Sequence, residues 1–319
     1  MARLASLAGV SVSTVSKAFS GSAEISEERR EYIFKIAKEN GCYDKYCKSN
    51  FKKYVIAVIC PEFQSSYYSL HLSFMEKEIK KRGGIMVVCS HNFEKSTTSE
   101  LISYFTECVK VDGLIVYDSS VPQAKYTTPV VVIGHNDFFD CISLSLKKAT
   151  CDAVKYFVEN GHKDIAFIGE TLTLGKYAAF LHAMAENNCE IKREYIIETK
   201  ERFELSGYIA MNSLLSLEKP PTAVFAAYDN IAVGAMKSIY EHGLKIPDDI
   251  SIIGMDDNKD NAYLDVPLTS ITLYNEDLSE IVVDVLFERI KNGSIGKVKK
   301  IHVSAELVKR GSVGKSKNL

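Results

Sequence analysis

Polar and aromatic residues follow the apolar runs of this 319-residue chain, at the positions where predicted β-strands end. Ligands of open α/β sheets bind beyond the carboxyl ends of the strands, so these residues are the first candidates for chemistry. A set of carboxylates, hydroxyls, a lysine and aromatic rings can hold a polyhydroxylated small molecule by charged hydrogen bonds and ring stacking. The segments are Ser65 to Tyr68, Asp118 to Ser120, His135 with Asn136, the stretch up to Lys176, Tyr228 with Asp229, and Asp256 with Asp257.

The sequence lacks the usual motifs of catalysis and metal binding. Its seven histidines form no H-x-x-x-H pair, and its eight cysteines form no C-x-x-C pair. The terminal GSVGKS is similar to a phosphate-binding loop, but Lys309 stands where that motif requires its first glycine. We therefore predict a binding protein without enzymatic activity, metal or cofactor. Several cysteines lie in apolar runs, which indicates reduced core thiols and a cytoplasmic protein.

The elements that must position these residues alternate in type along the chain. From Tyr54 onward, short β-branched apolar runs are separated by longer stretches with helical periodicity. Runs that are apolar on both faces are typical of parallel strands covered by helices. One series begins at YVIAVICP and a second at KDIAFIGE, so we predict two doubly wound parallel-sheet lobes. No segment approaches the roughly 18 uninterrupted apolar residues of a membrane span, and no partner membrane is expected.

The first 41 residues are predicted to form an all-α head. A short helix covers RLASLAG, and a second covers SVSTVSKAF with Ser11 as its N-cap. A third helix runs from Ser26 as N-cap to Asn40, with Gly41 as its stop. Two helices joined by a glycine-containing turn form a helix-turn-helix, whose second helix enters the major groove of DNA.

The second helix of the head carries the candidate DNA contacts. Its inward positions are Val15, Ala18 and Phe19. The predicted contacts on its outward face are Val12, Ser13 and Lys17 for base edges, with Thr14 and Ser16 for phosphates. The alternative is a solvated pair of surface helices that meets no nucleic acid.

Charge is distributed unevenly between the head and the body. The first 53 residues hold 10 Lys and Arg against 6 Asp and Glu, a charge of +4. The remaining 266 residues hold 29 against 35, a charge of -6. A basic head can meet phosphate, whereas an acidic body would not.

The sequence resembles the LacI/GalR family of bacterial transcription regulators along nearly its whole length. In the head, the resemblance lies in LAGVSVSTVSKAFSG and ISEERREYIFKIAKENG. In the body, it lies in VDGLIVY, VENGHKDIAFIG, PTAVFAAYDNIAVGAM, GLKIPDDISIIGMDD, PLTSI and LVKRGS. The resemblance implies periplasmic-binding-protein-like lobes, a homodimer that binds a pseudo-palindromic operator, and a small effector in the cleft between the lobes.

Two stretches depart from the family pattern in the head region. Few residues precede the first helix, so it is expected to lack an N-terminal cap. The family hinge carries a proline and a leucine that wedges into the minor groove. Here the matching stretch is GCYDKYCKSNFKKY, in which Phe51 is the only comparable wedge. Phosphate contacts there would come from Lys45, Lys48, Lys52 and Lys53, and the alternative is a basic linker.

The effector site also departs from the family. Ser145 stands where relatives carry an aspartate, and Lys176 stands where they carry an arginine, so the effector cannot be transferred from a known member. Asp229 matches the family's ligand-binding aspartate, and the alternative is an N-cap of the following helix. The predicted effector contacts are Tyr67, Tyr68, Ser120, Ser145, Lys176, Phe203, Asp229 and Asp256. Ordinary packing is the alternative for the aromatic residues, and a turn is the alternative for Asp256.

Together these features predict a transcription regulator, specifically a repressor, controlled by a carbohydrate effector. The predicted domains are a head over residues 1–41 and a hinge over 42–53. The first lobe takes residues 54–161 with 268–294, and the second takes 162–267 with 295–319. The alternative function is a sensor of a sugar or nucleoside that does not bind DNA.

Overall fold

The computed structural model describes residues 1–22, 24–43, 45–46, 54–273, 275–293 and 297–317. These residues form a helical head and two α/β lobes. Within these ranges, no helix combines the length and the apolar character that crossing a membrane requires.

The head consists of three short helices: α1 (Ala2–Leu7), α2 (Val12–Phe19) and α3 (Glu27–Glu39). Both predicted caps are confirmed. The Thr14 amide donates to Ser11 Oγ at 3.0 Å, and the Arg29 amide donates to Ser26 Oγ at 3.4 Å. Between α1 and α2, Gly9 has a φ of 63°, a left-handed conformation that glycine adopts without a steric penalty. The helix-turn-helix therefore follows from local sequence signals.

The head buries one small apolar core and extends further than predicted. Its buried members are Leu4, Ala5, Ala8, Val15, Ala18, Phe19, Ile25, Ile33 and Ala37. The predicted boundary at residue 41 is too early, because the Tyr43 ring lies 5.2 Å from Phe34 and the Tyr46 ring 5.8 Å from Phe19. Cys42, Tyr43 and Tyr46 therefore pack against the head core and belong to the head. Lys45 is exposed there, whereas the predicted hinge contacts Lys48, Phe51, Lys52 and Lys53 lie outside the described residues.

The described strands of the lobes are, in chain order, β1 (Tyr54–Cys60), β2 (Gly84–Ser90), β3 (Gly113–Val116), β4 (Val130–Ile133), β5 (Asp140–Ser145), β6 (Ile165–Glu170), β7 (Ile196–Thr199), β8 (Ala223–Ala226), β9 (Ser251–Met255), β10 (Thr269–Thr272), β11 (Lys300–Ser304) and β12 (Glu306–Val308). The described helices are α4 (Ser66–Lys81), α5 (Lys95–Ser103), α6 (Lys147–Glu159), α7 (Leu174–Glu186), α8 (Phe203–Leu215), α9 (Asp229–Glu241) and α10 (Asn275–Asn292). A π-helical segment, Tyr104–Val109, continues α5.

The strands form two six-stranded sheets, one in each lobe. The first has the order β11-β5-β4-β3-β1-β2, with every neighbouring pair parallel. The second has the order β12-β10-β9-β8-β6-β7, in which the edge strand β12 runs antiparallel to β10. Strands such as β3, β8 and β9 are buried throughout, because helices cover both faces of each sheet. The prediction of two doubly wound lobes is confirmed.

The chain crosses between the lobes three times, and three predicted lobe assignments differ from the structure. Helix α6 packs in the core of the second lobe. Strand β10 pairs with β9 of the second lobe, where Ile271 lies opposite Met255. Strand β11 pairs with β5 of the first lobe, where Val303 lies opposite Leu144. The pairing of β11 with β5 joins residues that are distant in the chain, so local patterns do not determine it.

Candidate functional site

A cavity of about 220 Å³ lies between the lobes, beside the carboxyl ends of strands from both sheets. Its charged lining residues are Glu62, Glu170, Lys176, Arg202 and Asp256. Its aromatic lining residues are Tyr67, Tyr68, Phe93, Phe203 and Tyr228. Ser65, Thr173 and the leucines at 144, 146, 172 and 273 complete the surface. Of the predicted effector contacts, the structure brings together Tyr67, Tyr68, Lys176, Phe203 and Asp256.

Arg202 lines the cavity and connects the two lobes. Its Nη1 and Nη2 atoms donate to the two carboxylate oxygens of Glu62 at 2.5 and 2.8 Å. Its Nε donates to the carboxylate of Glu170 at 3.2 Å. Glu62 follows β1 of the first lobe, whereas Glu170 ends β6 of the second. The guanidinium therefore holds a carboxylate from each lobe, with the planar fork geometry that suits bidentate pairing.

The backbone beside Arg202 adopts an uncommon conformation that the surrounding side chains hold. Phe203 has a φ of 57°, which is rare for a residue with a side chain. Its amide donates to the Tyr228 hydroxyl at 3.1 Å. Helices α8 and α9 approach closely nearby, since a Cβ on Gly207 would lie 1.8 Å from the Ile231 carbonyl oxygen. This close packing fixes the ends of both helices at the cavity.

Lys176 and Asp256 form a second ion pair in the cavity. Lys176 Nζ lies 3.1 Å from Asp256 Oδ1 and 5.2 Å from the centre of the Tyr228 ring. Burial raises the pKa of the Asp256 carboxyl, and the neighbouring Lys176 ammonium opposes that rise. Asp256 has a φ of 101°, so strained backbone places its side chain at the end of β9.

The first lobe contributes an aromatic wall. The rings of Tyr67 and Tyr68, in the first turn of α4, lie 5.1 Å apart in a T-shaped arrangement. Burial holds the pKa of the Tyr68 hydroxyl well above its usual range, so this group stays neutral. Phe93 lies 5.6 Å from the Arg202 guanidinium and is partly exposed. Such rings can stack on the apolar faces of a sugar or of another planar ring.

Asp229 is not among the residues that line the cavity, in contrast to its predicted role as an effector contact. Its side chain is buried, and its Oδ2 accepts hydrogen bonds from the Asn258 amide and Asn261 Nδ2, each at 2.8 Å. Its Oδ1 accepts from the Ser270 hydroxyl at 2.6 Å. The helix N-cap is Tyr228, so the alternative role of Asp229 as a cap is also wrong. Burial raises the pKa of Asp229 to about 7.

Two other predicted contacts, Ser120 and Ser145, are not among the residues that line the cavity. Ser120 is exposed, and its amide donates to Asp118 Oδ1 at 2.7 Å in a turn after β3. Ser145 is exposed at the end of β5, opposite Ser304 of β11. A strand end locates a residue at the correct edge of a sheet, but it does not determine where the side chain points.

Sequence reasoning missed Glu62, Phe93, Glu170 and Arg202. Glu62 and Glu170 do stand at strand ends, so the same rule that selected Ser65 could have selected them. No local signal indicates that Arg202 reaches Glu62, because 140 positions separate the two residues.

The predicted DNA contacts form an exposed face on α2. Val12 is 48% exposed, and Ser13 and Ser16 are also exposed, whereas Val15 is fully buried. The Thr14 hydroxyl lies 2.8 Å from Ser11 Oγ. The exposed residues can therefore meet a DNA groove without any rearrangement of the head core.

Lys17, the charged member of this face, has an acidic neighbour. Its Nζ lies 2.5 Å from the Glu24 carboxylate, and both side chains are well exposed to solvent. Exposed ion pairs of this kind contribute little stability, so Lys17 can exchange Glu24 for a phosphate or a base.

Comparison with known proteins identifies the family. Residues 1–43 match the family described as bacterial regulatory proteins, lacI family, and residues 154–313 match the periplasmic binding protein-like domain. The HTH-type transcriptional repressor PurR of Serratia proteamaculans (strain 568) is 31% identical over 307 residues, which cover 90% of this chain and 89% of the relative. The chain belongs to the lacI family. The repressor of the same name from Actinobacillus pleuropneumoniae serotype 3 (strain JL03) is 30% identical over 305 residues, 90% of each chain.

This lacI-family chain is a transcriptional repressor with a helix-turn-helix DNA-binding domain and a ligand-binding domain. Its fold is similar to that of the transcriptional regulator CelR in complex with cellobiose, with a TM-score of 0.70 at 22% identity over 97% of this chain and 98% of that chain. A LacI family transcriptional regulator from Enterococcus faecalis V583, with bound ribose, gives a TM-score of 0.70 at 22% identity over 82% of this chain and 98% of that chain. The predicted family and fold are confirmed.

Proposed function

We propose that this lacI-family repressor is controlled by a single-ring sugar that binds in the cavity between the lobes. The observation that carries the proposal is the combination of an aromatic wall with paired charged groups in one small cavity. Sugar hydroxyls donate to and accept from charged groups, while C–H faces pack on aromatic rings. Tyr67, Tyr68 and Phe203 supply rings, and Lys176, Asp256 and Glu170 supply polar partners.

The size of the cavity favours one sugar ring over two. Its volume of about 220 Å³ lies below the roughly 300–1,000 Å³ of pockets that hold drug-sized ligands. Sugars also occupy the two solved structures named above, cellobiose in one and ribose in the other. Their low identity to this chain supports a sugar as a class and no particular sugar.

The experiment is isothermal titration of the full chain with a panel of neutral monosaccharides and disaccharides, with nucleosides and nucleobases as further arms. Saturable binding of a monosaccharide is the expected result. A nucleoside or nucleobase that binds in preference to every sugar would overturn the sugar assignment. The proposal assigns no turnover, so chromatography after prolonged incubation should recover the sugar unchanged.

We also propose that α2 reads the operator as part of a homodimer. Val12, Ser13 and Lys17 contact base edges, and Thr14 and Ser16 contact phosphates. One head offers a reading helix of eight residues, so two heads on a two-fold operator double the contact surface.

DNA binding and assembly can be measured separately. Fluorescence anisotropy with DNA from upstream of the chain's own gene should give an affinity that falls steeply with salt, because several phosphates are contacted. Sedimentation equilibrium should give twice the chain mass. A monomer that binds the operator at full affinity would contradict the dimer.

A further inference from the structure

The charged residues of the cavity are already paired within the chain. Three acidic residues, Glu62, Glu170 and Asp256, line it together with two basic residues, Lys176 and Arg202. The lining therefore carries one net negative charge when all five groups are ionised. Because the dielectric constant is lower in a cavity than in water, the repulsion between this net negative charge and an anionic ligand is stronger there. The cavity therefore disfavours an anionic ligand.

Arg202 cannot turn to an anion without depriving a buried carboxylate of its cation. Its guanidinium donates to both oxygens of Glu62 and to Glu170. The Glu170 side chain is only 2% exposed, and that of Glu62 is 10% exposed. A phosphate or carboxylate that took the guanidinium would leave these two buried carboxylates without their shared cation, which is unfavourable.

Lys176, like Arg202, is already paired with a buried carboxylate. Its ammonium pairs with Asp256, whose side chain is 7% exposed. An anion that recruited Lys176 would leave Asp256 buried beside a new negative charge. A neutral hydroxyl can instead donate to Asp256 or accept from Lys176 while the pair stays intact.

Arg202 also bridges the two lobes beside the cavity. Among the ion pairs of the described residues, Arg202 with Glu62 is the one that joins the two lobes. Phe93 of the first lobe stacks near the same guanidinium, and both Asn92 and Phe93 have left-handed φ values of 49° and 63°. Two consecutive residues keep such strained backbone only where surrounding contacts hold them. The contact between Phe93 and the Arg202 guanidinium is one of those contacts.

We propose that the cavity selects an uncharged sugar over a sugar phosphate or carboxylate, and that the pairing of Arg202 with Glu62 excludes the anion. The ion pair between Arg202 and Glu62 stays formed when a neutral ligand binds. An anionic ligand competes with Glu62 for the guanidinium and breaks the pair. This inference rests on the proposed function, since it specifies the charge class of the sugar.

The test compares the sugar that binds the full chain best with the phosphate ester of the same sugar, by isothermal titration. The wild-type chain should bind the neutral sugar roughly tenfold or more tightly than the ester, the ratio expected from about 1.4 kcal/mol. Glu62→Gln removes the competing carboxylate, so this ratio should fall toward one. Glu276→Gln is the matched control, because Glu276 forms an exposed pair with Lys77 on the first lobe, and its ratio should equal that of the wild type.

The outcomes separate the two proposals. A wild-type chain that binds the ester as tightly as the sugar, or more tightly, overturns the inference while the sugar assignment stands. A ratio unchanged in Glu62→Gln, with circular dichroism that shows a folded chain, overturns the role of the pair. Arg202→Lys provides a second variant, since it keeps the charge but loses the bidentate fork, and it should also lower the ratio. If neither sugar nor ester binds, the proposed function fails and the inference fails with it.

Discussion

The reading helix of the head and the cavity between the lobes use polar groups in opposite ways. On α2, Ser13 and Ser16 are exposed to water, and Lys17 has only an exposed partner in Glu24. In the cavity, Glu170 and Asp256 are buried, and each is paired with a cation. A surface that meets a polyanion can leave its charge solvated until binding. A cavity that removes a ligand from water must balance its own charges first.

Among the substitutions that should affect only one of the two regions, Phe19→Ala should have the largest effect. Phe19 is buried in the head core, within 4.9 Å of the Phe34 ring. Removing it should cost the head about 3–5 kcal/mol, enough to unfold so small a unit. Operator binding measured by anisotropy should be lost, while effector binding measured by calorimetry should persist.

Phe138→Ala is the control for this substitution, because Phe138 is half-exposed on the first lobe. It should leave both binding activities in place. Loss of effector binding in Phe19→Ala would show that the head and the lobes unfold together, and the comparison between two independent regions would then fail.

Arg202→Ala should produce the next largest effect. It leaves Glu62 and Glu170 without their shared cation, and the penalty should be about 1–3 kcal/mol in unfolding free energy, since the Arg202 side chain is 32% exposed. Effector affinity should fall as well. Arg82→Ala removes a similar arginine that bridges Glu78 and Asp284 within the first lobe, and it should spare effector affinity. Equal losses in the two variants would contradict a specific role for Arg202.

Asp229→Asn tests whether the buried carboxylate outside the cavity is structural. The pKa of Asp229 is raised from 3.8 to about 7 in the folded protein, mainly by burial. Between these values the folded chain keeps a proton that the unfolded chain has lost. This contribution to the unfolding free energy is therefore present at low pH and declines as pH rises from about 4 to about 7, by about 1.4 kcal/mol for each unit of pKa difference.

The asparagine variant should remove that decline, which thermal melts at several pH values will reveal. Its oxygen can accept from Asn258 and Asn261, and its amide can donate to the Ser270 hydroxyl. Effector affinity should be unchanged near pH 7. If the variant melts with the same pH dependence as the wild type, the structural role of Asp229 is contradicted. If the variant loses effector binding, Asp229 takes part in the ligand site.

The smallest effects concern single charges on the head. Lys17→Ala should weaken operator binding by about 1 kcal/mol and relax specificity at the base pair that Lys17 contacts, because its predicted partner is a base edge. Glu24→Gln should act in the opposite direction, because it frees Lys17 and removes a negative charge near DNA. Anisotropy across salt concentrations measures both. If Glu24→Gln weakened binding, the pair would be a positioning contact of the bound state.

The head could be predicted from the sequence because its signals are local. Ser11 and Ser26 cap their helices, and Val15, Ala18 and Phe19 face inward as the helical period requires. The alternation of strands and helices likewise predicted two lobes. The lobes predicted for β10 and β11 were wrong, because periodicity does not encode which strand each of them pairs with.

The cavity was only partly predictable for a related reason. The rule of strand ends located Tyr67, Tyr68 and Asp256, since carboxyl ends of parallel strands share one edge. It also selected Asp229, whose side chain turns into the protein toward Ser270. The pairing of Arg202 with Glu62 arises only when the lobes meet. The sequence pattern predicts the fold and the edge of the sheet at which the site lies. The direction of each side chain and the contacts between the lobes are visible only in the folded structure.

Control of DNA binding by the sugar is measured as the operator affinity with and without the sugar that binds best. Labelled DNA from upstream of the gene is titrated with the full chain, first alone and then at a saturating concentration of that sugar. Control by the sugar should change the operator affinity by about 5- to 150-fold, the range of a coupling free energy of about 1–3 kcal/mol, and this change should be smaller in Arg202→Ala. The same operator affinity with the sugar bound and absent would contradict control by the sugar.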